Sequence, residues 1–412
     1  MRKPSPVADL RGASRLAVEL TVLVSHVVET MHHNIARRPG PLGRGTLAPT
    51  TGLKGFVYRS VQGVTRLVGN TIDTALAPLV PMLADAPDWP GRERVVCALN
   101  GVLGDQLAEH GNPLAIAMQL RRNGTQLALD RGGLAAQVPT PSPRVIVMVH
   151  GLCMSDMMWE RDSHDHGRQL ARDLDADVVC LRYNTGRHVS TSGAAFANLL
   201  ESLVDAWPVP VASLTLIGHS MGGLVMRAAC ATGRAAGHAW LRRLRALVFL
   251  GTPHQGAPLE RGGHGIDTLL GASPYTRAFT HLSRLRSAGI TDMRYGSVLD
   301  EDWHGRDRFA RGGYRRVVAP LPAGVPAFAI AGSLSKRIGA GARAPRGDGL
   351  VPVASALGIH ADAARSLGIP AARQFVVPGT GHLDLLSSTA VYQRLHRWLT
   401  TGDESPVRSP AR

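Results

Sequence analysis

Apolar positions divide the chain into an N-terminal stretch of helical period and a longer stretch where short apolar runs alternate with helical ones. Over residues 1–135, Leu16, Leu20, Leu23, Val24, Val27, Val28 and Met31 recur at spacings of three and four, which sets them on one helix face. Leu53, Val57, Val61, Val64, Val68 and Ile72, then Leu76 and Leu79, repeat the pattern after a loop rich in Pro and Gly from Arg37 to Gly55. A third helix is expected to open at Asp88-Trp89-Pro90 and to carry Val95, Leu99, Val102 and Leu103, because a cap followed by proline suits a first turn. Residues 1–135 are therefore expected to form a helical N-terminal extension.

From residue 143 to 400 the rhythm changes. Apolar runs at Val145–Val149, Val178–Tyr183, Leu214–Ile217, Leu247–Leu250, Ala327–Ile330 and Gln374–Val377 predict strands. Helices are expected between and after them, at Ala194–Trp207, Met221–Ala231 and Ala390–Leu399. Such alternation predicts an α/β fold with a mostly parallel central sheet and helices on both faces. Residues 254–317, rich in Gly and Arg, interrupt the rhythm after a strand and are expected to form a lid or cap insertion. Leu269, Leu270, Phe279, Leu282 and Leu285 give that insertion apolar surface. The polar residues 401–412 are expected to be a disordered tail.

Composition narrows the function classes. With 44% hydrophobic and 19% charged residues in 412, the chain can build a sizeable core, which excludes wholesale disorder. The formal charge is +15, yet all basic residues except Lys3, Lys54 and Lys336 are arginines, spread along the chain among acids. No basic stripe interleaved with aromatics is present, so no nucleic-acid partner is expected. The four cysteines (Cys97, Cys153, Cys180, Cys230) form no CxxC pair, which removes zinc knuckles and thioredoxin chemistry. Pro4, Pro6, Asp9, Arg11, Arg15 and Glu19 break any secretory apolar run, and a cytoplasmic location is expected. The amphipathic N-terminal faces could make peripheral contact with a membrane or lipid surface, or pack on the rest of the chain, the plainer reading.

The most informative stretch is Gly218-His219-Ser220-Met221-Gly222, at the end of an apolar run and the start of a helical pattern. Flanking glycines permit a sharp strand-to-helix turn that lifts a serine hydroxyl clear of the sheet, making Ser220 the candidate nucleophile. A lone serine needs a base and an orienting acid, which in this arrangement follow it in chain order. His382, in the loop Gly379-Thr380-Gly381-His382 after the last strand, is the candidate base. Asp348, in Gly347-Asp348-Gly349 after the preceding strand, is the candidate acid; otherwise it is an ordinary turn aspartate. Asp384 is its rival, but neighbours two residues apart seldom meet side chain to ring. Acyl transfer also needs donors for the developing oxyanion: the backbone N–H of Met221, and that of Leu152 after the strand ending Val149-His150-Gly151. The same loops bring His150, Gly151 and His219 into the substrate-binding set.

With these pieces in order, and with Gly251-Thr252-Pro253-His254-Gln255-Gly256, the chain resembles serine α/β-hydrolases, in particular bacterial lipases and esterases of an inositol-deacylase-like kind. The resemblance covers residues 143–400. It implies a carboxylic-ester hydrolase working through an acyl-enzyme on lipid-like or medium-chain esters, with no metal or organic cofactor, and it places His254 beside the substrate. The alternatives are an acyltransferase using the same triad and a lipid-surface binding protein with a vestigial hydrolase domain. Some lipases of this kind hold a structural calcium partly through an aspartate two residues past the histidine, where Asp384 stands. One carboxylate is far from a shell of about 6–8 oxygens, so no calcium is expected.

Overall fold

The computed structural model describes residues 8–18, 92–257, 287–306, 317–336 and 347–401. By contacts the chain forms two units, one of residues 1–92 with 107–115, the other of residues 93–106 with 116–412. In the first, helix α1 (residues 8–18) is fixed by Asp9, which accepts from Arg92 Nε at 2.6 Å and Nη2 at 2.7 Å. Gly12 O accepts from Asn112 Nδ2 at 3.0 Å, and Gly111 O from Arg15 at 3.2 Å. Leu16 is buried as its period requires. The expected helical positions from Leu20 to Leu79, and the cap at Asp88, lie outside the described residues.

The second unit is built on an eight-stranded sheet. Helix α2 (Arg92–Glu109) precedes β1 (Gln119–Arg122) and β2 (Thr125–Gln126), followed by α3 (Arg131–Gln137) and β3 (Arg144–Val149). Next come α4 (His166–Asp173), β4 (Asp177–Arg182), α5 (Val189–Ala206), β5 (Ser213–His219), α6 (Met221–Ala236) and β6 (Leu244–Leu250). After α7 (Ala288–Tyr295), β7 (Ala327–Ser333), α8 (Val353–Ala356), β8 (Gln374–Pro378) and α9 (Thr389–Thr401) complete the element order. The strand order is β2-β1-β4-β3-β5-β6-β7-β8, parallel from β4 to β8 and antiparallel at the β1–β2 and β1–β4 pairs.

Alternation along each strand sorts the core into two layers. Ile146, Met148, Ile217, Val248, Leu250, Phe328 and Ile330 join Leu170 of α4 and Val391, Leu395 and Trp398 of α9 on one face. Residues of opposite parity, such as Val147, Leu216, Leu247 and Phe249, are also buried, and α5 and α6 pack against each other.

The sheet corrects one expectation. The sheet-bearing unit begins at Glu93, so residues 1–135 are not one helical extension, and β1 and β2 extend the sheet ahead of residue 143. The hairpin turns at Asn123-Gly124, both with positive φ (49° and 77°), a two-residue loop whose twist matches the strands it joins. Much of the expected insertion, including Leu269 to Leu285, lies outside the described residues, as does the tail from residue 402. Helix α7 lies in the described part of that stretch. Among the described residues no helix is long and apolar enough to cross a membrane. Cys97, Cys153 and Cys230 are buried, Cys180 is half-buried, and no cysteine is in a disulfide.

Candidate active site

The site gathers at the C-terminal edge of the parallel strands, where β5 gives way to α6. Ser220 occupies the turn with φ 54° and ψ −124°, a conformation that costs a non-glycine residue roughly 1–3 kcal/mol. The surrounding structure holds it there: Ser220 N–H donates to Leu250 O of β6 at 2.8 Å, and Gly223 N–H donates to Ser220 O at 3.1 Å. Gly222 has to be glycine because a Cβ there would lie 2.1 Å from Val149 O and 2.7 Å from His150 O. That close approach lets α6 start directly over the end of β3.

Asp348 and His382 meet in the loops after β7 and β8. His382 Nδ1 is 2.7 Å from Asp348 Oδ2, and a backbone bond from His382 N–H to Asp348 O at 3.0 Å fixes the two loops together. Asp348 Oδ1 accepts from Leu350 N–H at 3.0 Å and Val351 N–H at 2.8 Å, so both carboxylate oxygens are engaged. Burial alone would raise this carboxyl's pKa. The facing His382 and the N–H groups of Val351 and Leu350 outweigh burial and hold it below the ordinary range, which keeps Asp348 ionised. Asp348, His382 and Ser220 are 3%, 4% and 2% exposed, and among the described residues His382 Nε2 has no hydrogen-bond partner. The Ser220 hydroxyl points instead to Met293 Sδ of α7, 4.0 Å away.

The remaining sequence candidates separate into two groups. Gly151 lies against Ser220, since a Cβ on it would sit 3.0 Å from Ser220 Cβ. The N–H groups of Leu152 and Met221 make no hydrogen bond to the loops and turns among the described residues. His150, His219 and His254 are buried and face protein groups. The His150 ring stacks on Tyr183 at 4.6 Å, and burial pushes its pKa down to about 4. His219 Nε2 lies 3.1 Å from His382 O, and burial followed by the neighbouring His382 lowers its pKa to about 3. The His254 ring packs edge-on against Phe249 at 4.6 Å.

Asp384 accepts from Gly381 N–H at 3.1 Å and pairs with Arg161 at 3.5 Å, while His382 takes Asp348. Among the described residues no cluster of His, Cys, Asp and Glu could hold a metal ion. Size alone does not locate the site: a cavity of about 770 Å³ lies at the opposite edge of the sheet, between Arg144, Arg245, Phe328, Arg373 and Trp398.

Sequence reasoning missed the groups on the other side of Ser220. Met293 reaches the serine from α7, and Asp292 beside it holds His188, with Nδ1 2.9 Å from Oδ2. Neither lies in a recognisable motif. Thr185 also escaped notice: its Oγ1 accepts from Cys153 N–H at 3.2 Å in the loop after β3.

Comparison with known proteins gives one family match, the PGAP1-like alpha/beta domain, over residues 166–316. That stretch holds Ser220 and His254 and stops short of Asp348 and His382. No curated protein matches the chain significantly. Among solved structures, the mature form of Bacillus licheniformis lipase BlEst2 is 17% identical, covering 62% of this chain and 94% of its own, with TM-score 0.39. An esterase from Thermogutta terrifontis is 17% identical over 63% of this chain and 90% of its own, with TM-score 0.37. Aspergillus fumigatus lipase B is 12% identical over 70% and 58%, with TM-score 0.41. The strand order and the strand-to-helix turn at Ser220 are those of an α/β-hydrolase fold, and the family model matches residues 166–316 of it.

Proposed function

We propose that the protein is a serine carboxylic-ester hydrolase acting through an acyl-enzyme on lipid-like or medium-chain esters. The observation that carries the reading is the buried Asp348–His382 pair at 2.7 Å, with His382 Nε2 unpartnered among the described residues, near a serine held on a strained turn. In this reading Ser220 Oγ attacks the ester carbonyl carbon and passes its proton to His382 Nε2. Ionised Asp348 keeps the imidazole in the tautomer with Nδ1 protonated and stabilises the imidazolium that forms. The oxyanion is held by the N–H groups of Leu152 and Met221, with the first turn of α6 adding its positive end. His382 then gives the proton to the leaving alcohol, the acyl group stays on Ser220, and His382 activates water to release the acid. No step requires a metal or an organic cofactor.

The test is covalent: a fluorophosphonate probe should label Ser220, and p-nitrophenyl esters should be cleaved by the wild type but not by Ser220→Ala. A folded wild type that neither takes the probe nor cleaves any ester from acetyl to palmitoyl overturns the reading. The burial of Ser220 and His382 favours a second reading, acyl transfer to an acceptor other than water, since a site closed to water protects an acyl-enzyme. Added alcohols or lysolipids would then appear as acylated products in place of free acid.

A further inference from the structure

We propose that Met293 is the residue that limits the acyl chain this site accepts, held in place by Asp292 through His188. The inference rests on Ser220 being the nucleophile and says which part of the substrate meets which side of the site.

The sheet order supplies the direction. Asp348 and His382 follow β7 and β8, so the imidazole approaches Ser220 from that side of β5. The histidine that protonates the leaving oxygen must face the alcohol, which sends the acyl chain towards the other side, where β3 and β4 end. Helix α7 stands there. A Cβ on Gly289 would lie 2.1 Å from Thr185 O in the loop after β4, and Gly289 N–H donates to Gly186 O at 3.0 Å. From that seat Met293 puts its sulfur 4.0 Å from Ser220 Oγ and takes the hydroxyl's hydrogen bond. An acyl chain entering on this side meets the Met293 side chain first, and its displacement frees the hydroxyl to turn to His382 Nε2.

Asp292, the preceding residue, keeps α7 against the start of α5. Its Oδ2 accepts from Val189 N–H at 2.8 Å and lies 2.9 Å from His188 Nδ1. The His188 ring is stacked on Trp303, with centroids 3.7 Å apart and planes within 7°. Met293 is thus a bendable side chain on a fixed backbone: methionine adapts to an entering chain, while the clamp at Asp292 prevents the whole helix from yielding.

The experiment compares kcat/KM for p-nitrophenyl acetate, hexanoate and decanoate in the wild type, Met293→Ala, Met293→Leu and Asp292→Asn, with fluorophosphonate labelling of Ser220 in each. Met293→Ala should raise the decanoate-to-acetate ratio about 10-fold or more, the range expected for a few methylenes in a hydrophobic pocket. Met293→Leu, of similar volume, should stay within about 2-fold. Asp292→Asn keeps an acceptor for Val189 N–H but replaces the carboxyl group that meets His188. It should move the ratio in the same direction as Met293→Ala by a smaller factor, mainly through KM, while acetate turnover holds within about 3-fold. An unchanged ratio in Met293→Ala with Ser220 still labelled overturns the assignment of Met293 alone. A ratio in Asp292→Asn that matches the wild type overturns the positioning role of Asp292. Failure to label Ser220 in any of the proteins, all folded, overturns the reading of the nucleophile and this inference with it.

Discussion

The two sides of Ser220 are built by different means. On the β7–β8 side the groups are charged or polar, sit in the connections that follow the two strands, and are held by N–H bonds: Leu350 and Val351 to Asp348 Oδ1, His382 to Asp348 O. On the β4 side a helix from a long connection contributes a thioether, and the neighbouring Asp292 meets His188, far earlier in the chain, whose ring stacks on Trp303. In the proposed reading one side supplies fixed geometry for proton transfer and the other a surface that a chain can press against. Fixed chemistry leaves a local signature in the sequence, and adaptable packing does not.

The largest expected effect falls on the chemistry itself. Ser220→Ala should lower kcat about 10⁵-fold or more with every ester alike, so equal losses from acetate to decanoate would sharpen the division between the two sides. Asp348→Asn should cost about 10⁴-fold, because an amide can favour the wrong imidazole tautomer, and the loss should again be independent of chain length. A loss that grew with chain length would break the comparison by showing that the β7–β8 side also reads the acyl group.

Gly222→Ala tests the turn between the sides. With Val149 O 2.1 Å from the new methyl, the start of α6 has to move off β3, at a cost of about 3 kcal/mol measurable by denaturant unfolding. Unchanged stability would mean that the contact between α6 and β3 is looser than described.

Acid acts on both sides of this comparison through stability alone. His219 meets His382 O and His166 Nε2 meets Leu385 O at 2.9 Å, so both neutral rings hold the loop that carries His382. Burial lowers the pKa of His166 from 6.5 to about 4 and, together with His382, lowers that of His219 to about 3. The unfolded chain takes up these protons near pH 6.5 while the folded chain does not. Their contribution is therefore complete above about pH 6.5 and falls as pH drops towards the folded values, by up to about 1.4 kcal/mol per pH unit for each ring. Unfolding free energies measured between pH 7 and 4.5 in wild type and His166→Gln check this. A flat wild-type curve would count against the neutral rings, and the variant should lose part of the slope.

The legibility of the sequence follows the same division. All six parallel strands from β3 to β8 are legible because buried strands leave dense apolar runs; as candidates, Ser220 and His382 are legible because each closely follows such a run, and Asp348, well past the end of β7, from its Gly347-Asp348-Gly349 setting. The β1–β2 hairpin escaped because its strands, Gln119–Arg122 and Thr125–Gln126, are mostly polar and lie at the edge of the sheet. The Asn123-Gly124 dipeptide was the signal available for it. Met293 carries none: an isolated methionine in a glycine- and arginine-rich stretch has no period and no motif, and its place beside Ser220 is set by tertiary packing.

The four cysteines give the molecule an unplanned convenience. Burial pushes the thiols of Cys153 and Cys230 up to about 12 and raises those of Cys97 and Cys180 as well, so at neutral pH almost no thiolate is available for alkylation. A cysteine placed at exposed Glu301, two residues from the Trp303 that stacks on His188, would be the fastest-reacting thiol of the described fold. A fluorophore attached there would report on the neighbourhood of that stack as an acyl chain arrives, without removing any native cysteine.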